Sequence, residues 1–397
     1  MISGFWVEQK PNPMIKNKSS KLEIRNSKTK KINNFFVLVI GCQQNEHDAI
    51  KISYMLEKLG LQESTMNEAD LMIVVACAVR QTGVDRIFGA IKNWKNKKII
   101  TTGCVLDSDR KRFKDRGVDF WDIEKPNDLI KILNIKTKKD IKNLLTEGSK
   151  LSSSVPIMFG CNNFCSYCAT PYTRGRERSR DLSAIVREVQ ALIKKGHKEI
   201  LLLGQNVNSF QISNKAVIPH LMRDLDSRVR GNDTEKEKSD FTILLEILNA
   251  LPGNFKIAFT SNHPKDMSDD IIEAVATLPK IKKEIHLPVQ SGSDKILKAM
   301  NRPYTIKQYL NIVEKIRQAS PEIAITTDVI VGFPGETEGD FQKTADAFKR
   351  VGYKMAYINK YSPRVGTAAL KLGNPIPWKE KQRRWHELDK ILSKTRC

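Results

Sequence analysis

Residues 160–168 read Gly160-Cys161-Asn162-Asn163-Phe164-Cys165-Ser166-Tyr167-Cys168, a C-x3-C-x2-C spacing. Thiolates this close in one loop can converge on a single soft metal centre. Iron–sulfur clusters are normally held by four thiolates, yet no fourth Cys or His follows within 28 residues. Three ligands on a four-iron cube leave one iron open, and an open position separates a catalytic metal centre from a closed structural one. Phe164 and Tyr167 lie inside the loop, where their rings can shield a cluster from water. A structural zinc site completed by a distant ligand uses the same residue types, so the spacing alone leaves both readings open.

Outward from this loop, the 397-residue chain has room for two or three domains, and its 40% hydrophobic content suits a globular core. The formal net charge of +22 suits a polyanionic partner such as RNA. No run approaches the roughly 18 apolar residues of a membrane span, and the N-terminus lacks an apolar signal core. A reducing, cytoplasmic setting is expected, with no membrane partner. There, seven cysteines serve as metal ligands or reactive thiols and not as a disulfide frame. We expect a monomer.

Residues 1–34 carry eight Lys or Arg against two acidic residues without periodicity, and read as a disordered basic arm. From 35 to 133 strands alternate with helices. Phe36–Ile40 is a strand, Ala49–Leu59 a helix stopped by Gly60, and Leu71–Ala76 a strand. Gly83–Trp94 is a helix and Lys98–Thr102 a strand. This alternation predicts a parallel, doubly wound sheet, whose ligands collect at the carboxyl ends of the strands. Cys42, Cys77 and Cys104 each stand just past a strand's carboxyl end. Single free cysteines are commonly buried core residues. Three in equivalent positions predict a second three-thiolate site. Cys397 is left over.

Residues 134–150 are Lys-rich and read as a linker. A second domain follows over 151–376. Its strands are Val155–Phe159, Glu199–Leu203, Phe255–Phe259, Glu284–Pro288, Ile323–Val331 and Lys354–Tyr361. Six strands with intervening helices predict an open, partial (β/α)6 barrel with its site on the carboxyl-end loops. Arg174, Arg176, Arg178 and Arg180 follow the cysteine loop. They suit phosphates or a base plane, or a solvated turn paired with Glu177 and Asp181. Residues 211–240 read as a polar surface insertion, and 377–397 as a charged C-terminal helix.

Several stretches together resemble one family. They are Gly-Cys-Gln-Gln-Asn-Glu-His-Asp at 41–48, Ala-Cys-Ala-Val-Arg at 76–80, Thr-Gly-Cys at 102–104 and Pro-Tyr-Thr-Arg-Gly-Arg-Glu at 171–177. Leu-Gly-Gln-Asn-Val-Asn-Ser at 203–209, His-Leu-Pro-Val-Gln-Ser-Gly-Ser at 286–293 and Val-Gly-Phe-Pro-Gly-Glu-Thr at 331–337 complete the set. With the C-x3-C-x2-C loop they resemble the radical S-adenosylmethionine (SAM) methylthiotransferases, over about Phe36 to Tyr361 and most nearly the branch acting on isopentenyladenosine in tRNA. The resemblance implies two 4Fe–4S clusters, one on Cys161, Cys165 and Cys168 and an auxiliary one on Cys42, Cys77 and Cys104. It implies SAM cradled by Gly204, Ser261, Gln290, Asp328 and Gly332, and RNA held by Arg174, Arg176 and Arg178. The implied reaction cleaves SAM reductively, removes hydrogen from the adenine ring, takes sulfur from the auxiliary cluster and methylates it with a second SAM. It also implies an electron donor and a sulfur donor that the sequence does not identify. Relatives usually continue into a small β-barrel RNA-binding domain, TRAM, which is not expected within these 397 residues. A sister enzyme acting on threonylcarbamoyladenosine, another acting on a ribosomal protein, and a zinc-stabilised RNA-binding protein without catalysis are the alternatives.

Overall fold

The computed structural model describes residues 24–25, 31–77, 81–219 and 238–395. The chain divides into two units between Ser152 and Ser153. In the first, β1 (Ile24–Arg25) pairs antiparallel with β2 (Lys31–Ile32). Most of the expected basic arm lies outside the described residues, and Asn34 already belongs to β3 (Asn34–Ile40). Strands β4 (Gln62–Glu63), β5 (Leu71–Cys77), β6 (Lys98–Cys104) and β7 (Asp119–Phe120) join it. All pairings are parallel, in the order β4-β3-β5-β6-β7.

Strand β5 sits at the centre because six of its seven residues, Leu71 to Ala76, are apolar and buried, as a strand covered on both faces requires. Met72 and Val74 pack with Phe36, Leu38 and Phe113 on one face. Ile73 and Val75 pack with Phe35, Ile52 and Trp121 on the other. Helix Gln43–Lys58 buries Ile52, Met55 and Leu56. It begins six residues before the expected Ala49, because its first turns bury the polar Gln44, Asn45, His47 and Asp48 and so show no apolar period.

Residues 134–150 are not a simple linker. Helix Ile141–Ser149 forms there, with Asp140 Oδ1 accepting the Asn143 N–H at 3.2 Å and Ile141 and Leu145 buried. Gly148 lets it lie against helix Gln43–Lys58, since a Cβ at 148 would stand 2.9 Å from Lys51 Cα.

The second unit carries β8 (Ser154–Pro156), β9 (Met158–Phe159), β10 (Arg178–Ser179), β11 (Glu199–Leu203), β12 (Lys256–Phe259), β13 (Glu284–His286), β14 (Ala324–Val331) and β15 (Met355–Lys360). Strands β8, β11 and β12 form one parallel sheet, and β13, β14 and β15 another. A parallel bridge between Ile257 and Ile281 joins the two halves. Helices Leu182–Lys194, Asp240–Ala250, Asp269–Thr277, Ile306–Ala319 and Glu338–Val351 run between the strands. The result is the partial (β/α) barrel. The strand expected at 155–159 is broken at Ile157, and Met158–Phe159 turns away to pair antiparallel with β10.

The C-terminal helix Trp378–Thr395 buries two cations, Lys381 and Arg384, against the barrel. Residues 220–237, most of the expected insertion, lie outside the described residues. Among the described residues no helix is long and apolar enough to cross a membrane.

Candidate metal centres and cofactor site

Cys161, Cys165 and Cys168 are free thiols, the first two buried and the third half-buried, in the loop after β9. Gly160 sets this loop. Its φ is +73° and a Cβ there would stand 2.1 Å from Arg176 O, so any side chain would drive the two limbs apart. Cys161 N–H donates to Gly175 O at 3.2 Å. Each sulfur receives an N–H: Asn163 to Cys161 at 3.5 Å, Thr170 to Cys168 at 3.4 Å, and Arg302 Nη1 to Cys165 at 3.6 Å. Such donors suit sulfur in its anionic, ligating form. Burial pushes the Cys168 thiol up to about 11 and raises Cys161 as well. A metal centre must therefore displace these protons, as coordination does. Among the described residues no three His, Cys, Asp or Glu side chains are gathered tightly enough for a single ion. Thiolates sharing a cluster bind different irons of one cube, a looser gathering than a single ion's shell.

In the first unit, Cys77 and Cys104 are register partners at the ends of β5 and β6. Cys42 follows β3 and caps helix Gln43–Lys58. The strand order reverses between β3 and β5, the switch point where doubly wound sheets bind ligands. Asn45 ties these ends together. Fully buried, it accepts from the Cys42 thiol at 3.2 Å and donates Nδ2–H to Ala76 O at 2.8 Å. A Cβ at Gly41 or Gly103 would stand within 2.6 Å of Asn45 or 2.7 Å of Ala76 O respectively. The three cysteines expected to form a thiolate site thus stand at the carboxyl end of one sheet, and Asn45, in the sequence only one member of the 41–48 stretch, acquires its role through the fold.

Of the five residues expected at SAM, Gly204, Ser261, Gln290 and Gly332 follow the carboxyl ends of barrel strands, and Asp328 lies inside β14, opposite Tyr357. Gly204 follows β11 and is filled by packing, with Met158 Cγ 2.6 Å from where a Cβ would sit. Ser261 and Gln290, after β12 and β13, hold φ of +67° and +61°. Non-glycine residues in that region carry strain of the kind found at binding sites. Asp328 Oδ2 lies 3.0 Å from His286 Nε2. Gly332, with φ +72°, donates N–H to Glu336 Oε2 at 2.6 Å, and Lys381 Cγ lies 2.4 Å from where its Cβ would be.

Nearby polar atoms lack protein partners. Asn206 Oδ1, Asn262 Oδ1 and His263 Nε2 are buried without a hydrogen bond. His263 Nδ1 accepts the Lys265 N–H at 3.2 Å, which puts the ring proton on Nε2. Burial, with Arg302 and Lys265 nearby, lowers this histidine to about 2, so it is neutral at working pH. Orphaned buried atoms at strand ends fit a polar ligand.

The arginines separate. Arg180 pairs with Glu188 at 2.7 Å and braces the fold. The partners expected for a solvated turn are engaged elsewhere, Glu177 with Ser209 and Asp181 as the cap of helix Leu182–Lys194. Arg174 is half-buried. Arg176 and Arg178 are exposed. Arg302 had no signal in the sequence near Cys165, being 137 positions away.

The profile described as "Radical SAM superfamily" matches residues 155–348, and that described as "Uncharacterized protein family UPF0004" matches residues 34–121. A protein of Clostridium botulinum (strain Loch Maree / Type A3) named tRNA-2-methylthio-N(6)-dimethylallyladenosine synthase is 39% identical, covering 94% of this chain and 84% of its own. One of that name from Caldicellulosiruptor saccharolyticus is 40% identical over 95% and 81%. Among solved structures, the radical SAM methyltransferase TsrM from Kitasatospora setae, with tryptophan and a SAM analogue bound, superposes with TM-score 0.51. It is 12% identical over 82% of this chain and 73% of that one, a likeness of fold. SAM and 4Fe–4S clusters are this family's cofactors. The chain belongs to the radical SAM methylthiotransferase family.

Proposed function

We propose that this enzyme methylthiolates N(6)-isopentenyladenosine beside the anticodon of tRNA. The observation that carries the reading is the pair of three-thiol sites, one at the switch point of the first unit's sheet and one in the loop of the second. The names of the relatives support the substrate.

Replacing an aromatic C–H by C–S exceeds acid–base side chains, and SAM with two clusters supplies the radical and the sulfur. The chain's own residues hold and tune. Cys161, Cys165 and Cys168 bind the catalytic cluster, and Cys42, Cys77 and Cys104 the auxiliary one. Arg302 places a buried positive charge against Cys165, 3.6 Å away. Ser261, Gln290, Asp328 and the Gly332 loop cradle SAM. Neutral His263 offers a donor, and Asn206 and Asn262 acceptors, to polar edges of ligand or base. A target base splayed from a single-stranded loop can enter such a site. An electron donor and a sulfur donor complete the system.

Burying an isopentenyl tail is worth about 0.8 kcal/mol per CH₂, several kcal/mol before ordering costs. The test presents cluster-loaded enzyme, reductant and SAM with one anticodon stem–loop in three forms: unmodified, isopentenylated and threonylcarbamoylated. Nucleoside mass analysis should find methylthiolation of the isopentenylated form. Methylthiolation of the threonylcarbamoylated form alone would transfer the assignment to the sister activity.

A further inference from the structure

We propose that Phe164, Arg176 and Tyr172 form a stacking platform for an unpaired nucleobase that flanks the target adenosine. The inference rests on the tRNA reading above and deepens it. Phe164 lies inside the cysteine loop with φ +46°, a conformation unusual for a bulky residue. Asn301 Nδ2 fixes it by donating to Asn163 O at 3.2 Å and Phe164 O at 3.0 Å. The Arg176 guanidinium lies 4.4 Å from the Phe164 ring centroid. The cation lies over the ring and Arg176 remains exposed. Among the described residues no carboxylate pairs with Arg176. Tyr172 meets the Phe164 ring edge-on at 6.0 Å and is itself 50% exposed.

The platform is built and not incidental. Gly160 abuts the Arg176 backbone, Glu177 N–H donates to Asn162 Oδ1 at 3.3 Å, and Glu177 Oε1 accepts from Ser209 at 2.8 Å. A planar cation and an exposed ring, held beside the proposed catalytic thiols in a chain of net charge +22, fit a base plane with its phosphate. Single-stranded RNA bases are bound by stacking on aromatic rings and on guanidinium planes. A protein partner would need acidic groups to match the charge, whereas an unpaired RNA strand brings a phosphate with every base.

The test measures binding of an isopentenylated anticodon stem–loop to cluster-loaded full-length protein by fluorescence anisotropy at several salt concentrations. Tyr172→Ala should weaken binding about 5- to 100-fold with an unchanged salt slope, because stacking is not a charge contact. Tyr172→Phe should restore it. Arg176→Lys should keep the slope yet lose affinity, whereas Arg176→Ala should lose both affinity and about 0.7 of slope. If wild type binds and Tyr172→Ala and Arg176→Lys bind equally well, the platform is wrong. If wild type does not bind the stem–loop at all, the tRNA reading itself fails.

Discussion

Replacing Arg384 by alanine is expected to strand a buried carboxylate. Arg384 and Glu336 side chains are 6% and 1% exposed, and Arg384 Nη1 meets Glu336 Oε2. The same carboxylate accepts the Gly332 N–H at 2.6 Å, so the pair joins the C-terminal helix to a proposed SAM loop. Removing one partner of a buried pair costs about 3–5 kcal/mol, because the other charge is left uncompensated. For a unit of this size that is a fall in Tm of about 6–20 °C. Burial already raises Glu336 above the usual carboxylate range, against the opposing pull of Gly332 N–H and Arg384. Without Arg384 it rises further. A carboxyl whose folded pKa lies above its unfolded value contributes stability at low pH that is lost as pH rises through the folded value. The Arg384→Ala deficit should therefore be large at about pH 7.5 and shrink toward about pH 5. In a Glu336→Gln background most of it should vanish, since a neutral amide needs no counter-charge. Thermal and urea unfolding followed by circular dichroism measure all three. A deficit under about 1 kcal/mol, or one unchanged by pH and by Glu336→Gln, would refute the reasoning.

Gly160→Ala should disrupt the cysteine loop and abolish the brown colour of reconstituted protein, since its Cβ would meet Arg176 O at 2.1 Å. Gly175→Ala, with φ +76° but open space around the Cβ, should cost only about 1–2 kcal/mol of left-handed strain and keep the cluster. Asn45→Ala should destabilise the first unit by about 1–3 kcal/mol through the unsatisfied Ala76 carbonyl. Its iron content should fall toward that of the second unit's cluster alone, and wild-type iron and melting would contradict the role given to Asn45.

The placement of both cysteine triads was legible in the sequence, for different reasons. The second unit's site is local, written in eight consecutive residues from Cys161. The first unit's triad followed from strand pattern, because Phe36–Ile40 and Leu71–Ala76 are continuous apolar runs and Ile99–Thr102 a β-branched one, each ending just before Cys42, Cys77 and Cys104 respectively. What brings those ends together was not legible. Asn45 reads as one polar residue among several, and its bond to Ala76 spans 31 positions. Arg302 and Cys165, like Arg384 and Glu336, meet only through the tertiary fold, and no local pattern announces a buried cation. Helix Ile141–Ser149 was hidden by the lysines that flank it, Lys136, Lys138, Lys139 and Lys150, although the Ile141–Leu145 spacing and the Asp140 cap were present. The break at Ile157 was invisible because β9 leaves the sheet to meet β10, a pairing set by the returning loop.

The central claim is that the two thiol sites do different work, and one comparison tests it. Wild type, Cys165→Ala and Cys77→Ala are each reconstituted without oxygen and given SAM, reductant and the isopentenylated stem–loop. Iron, 5′-deoxyadenosine and methylthiolated nucleoside are then measured together. The account predicts that wild type yields both products, Cys165→Ala neither, and Cys77→Ala 5′-deoxyadenosine without methylthiolation. Cleavage lost in Cys77→Ala while its remaining cluster is intact, or methylthiolated product formed by that variant, would contradict it.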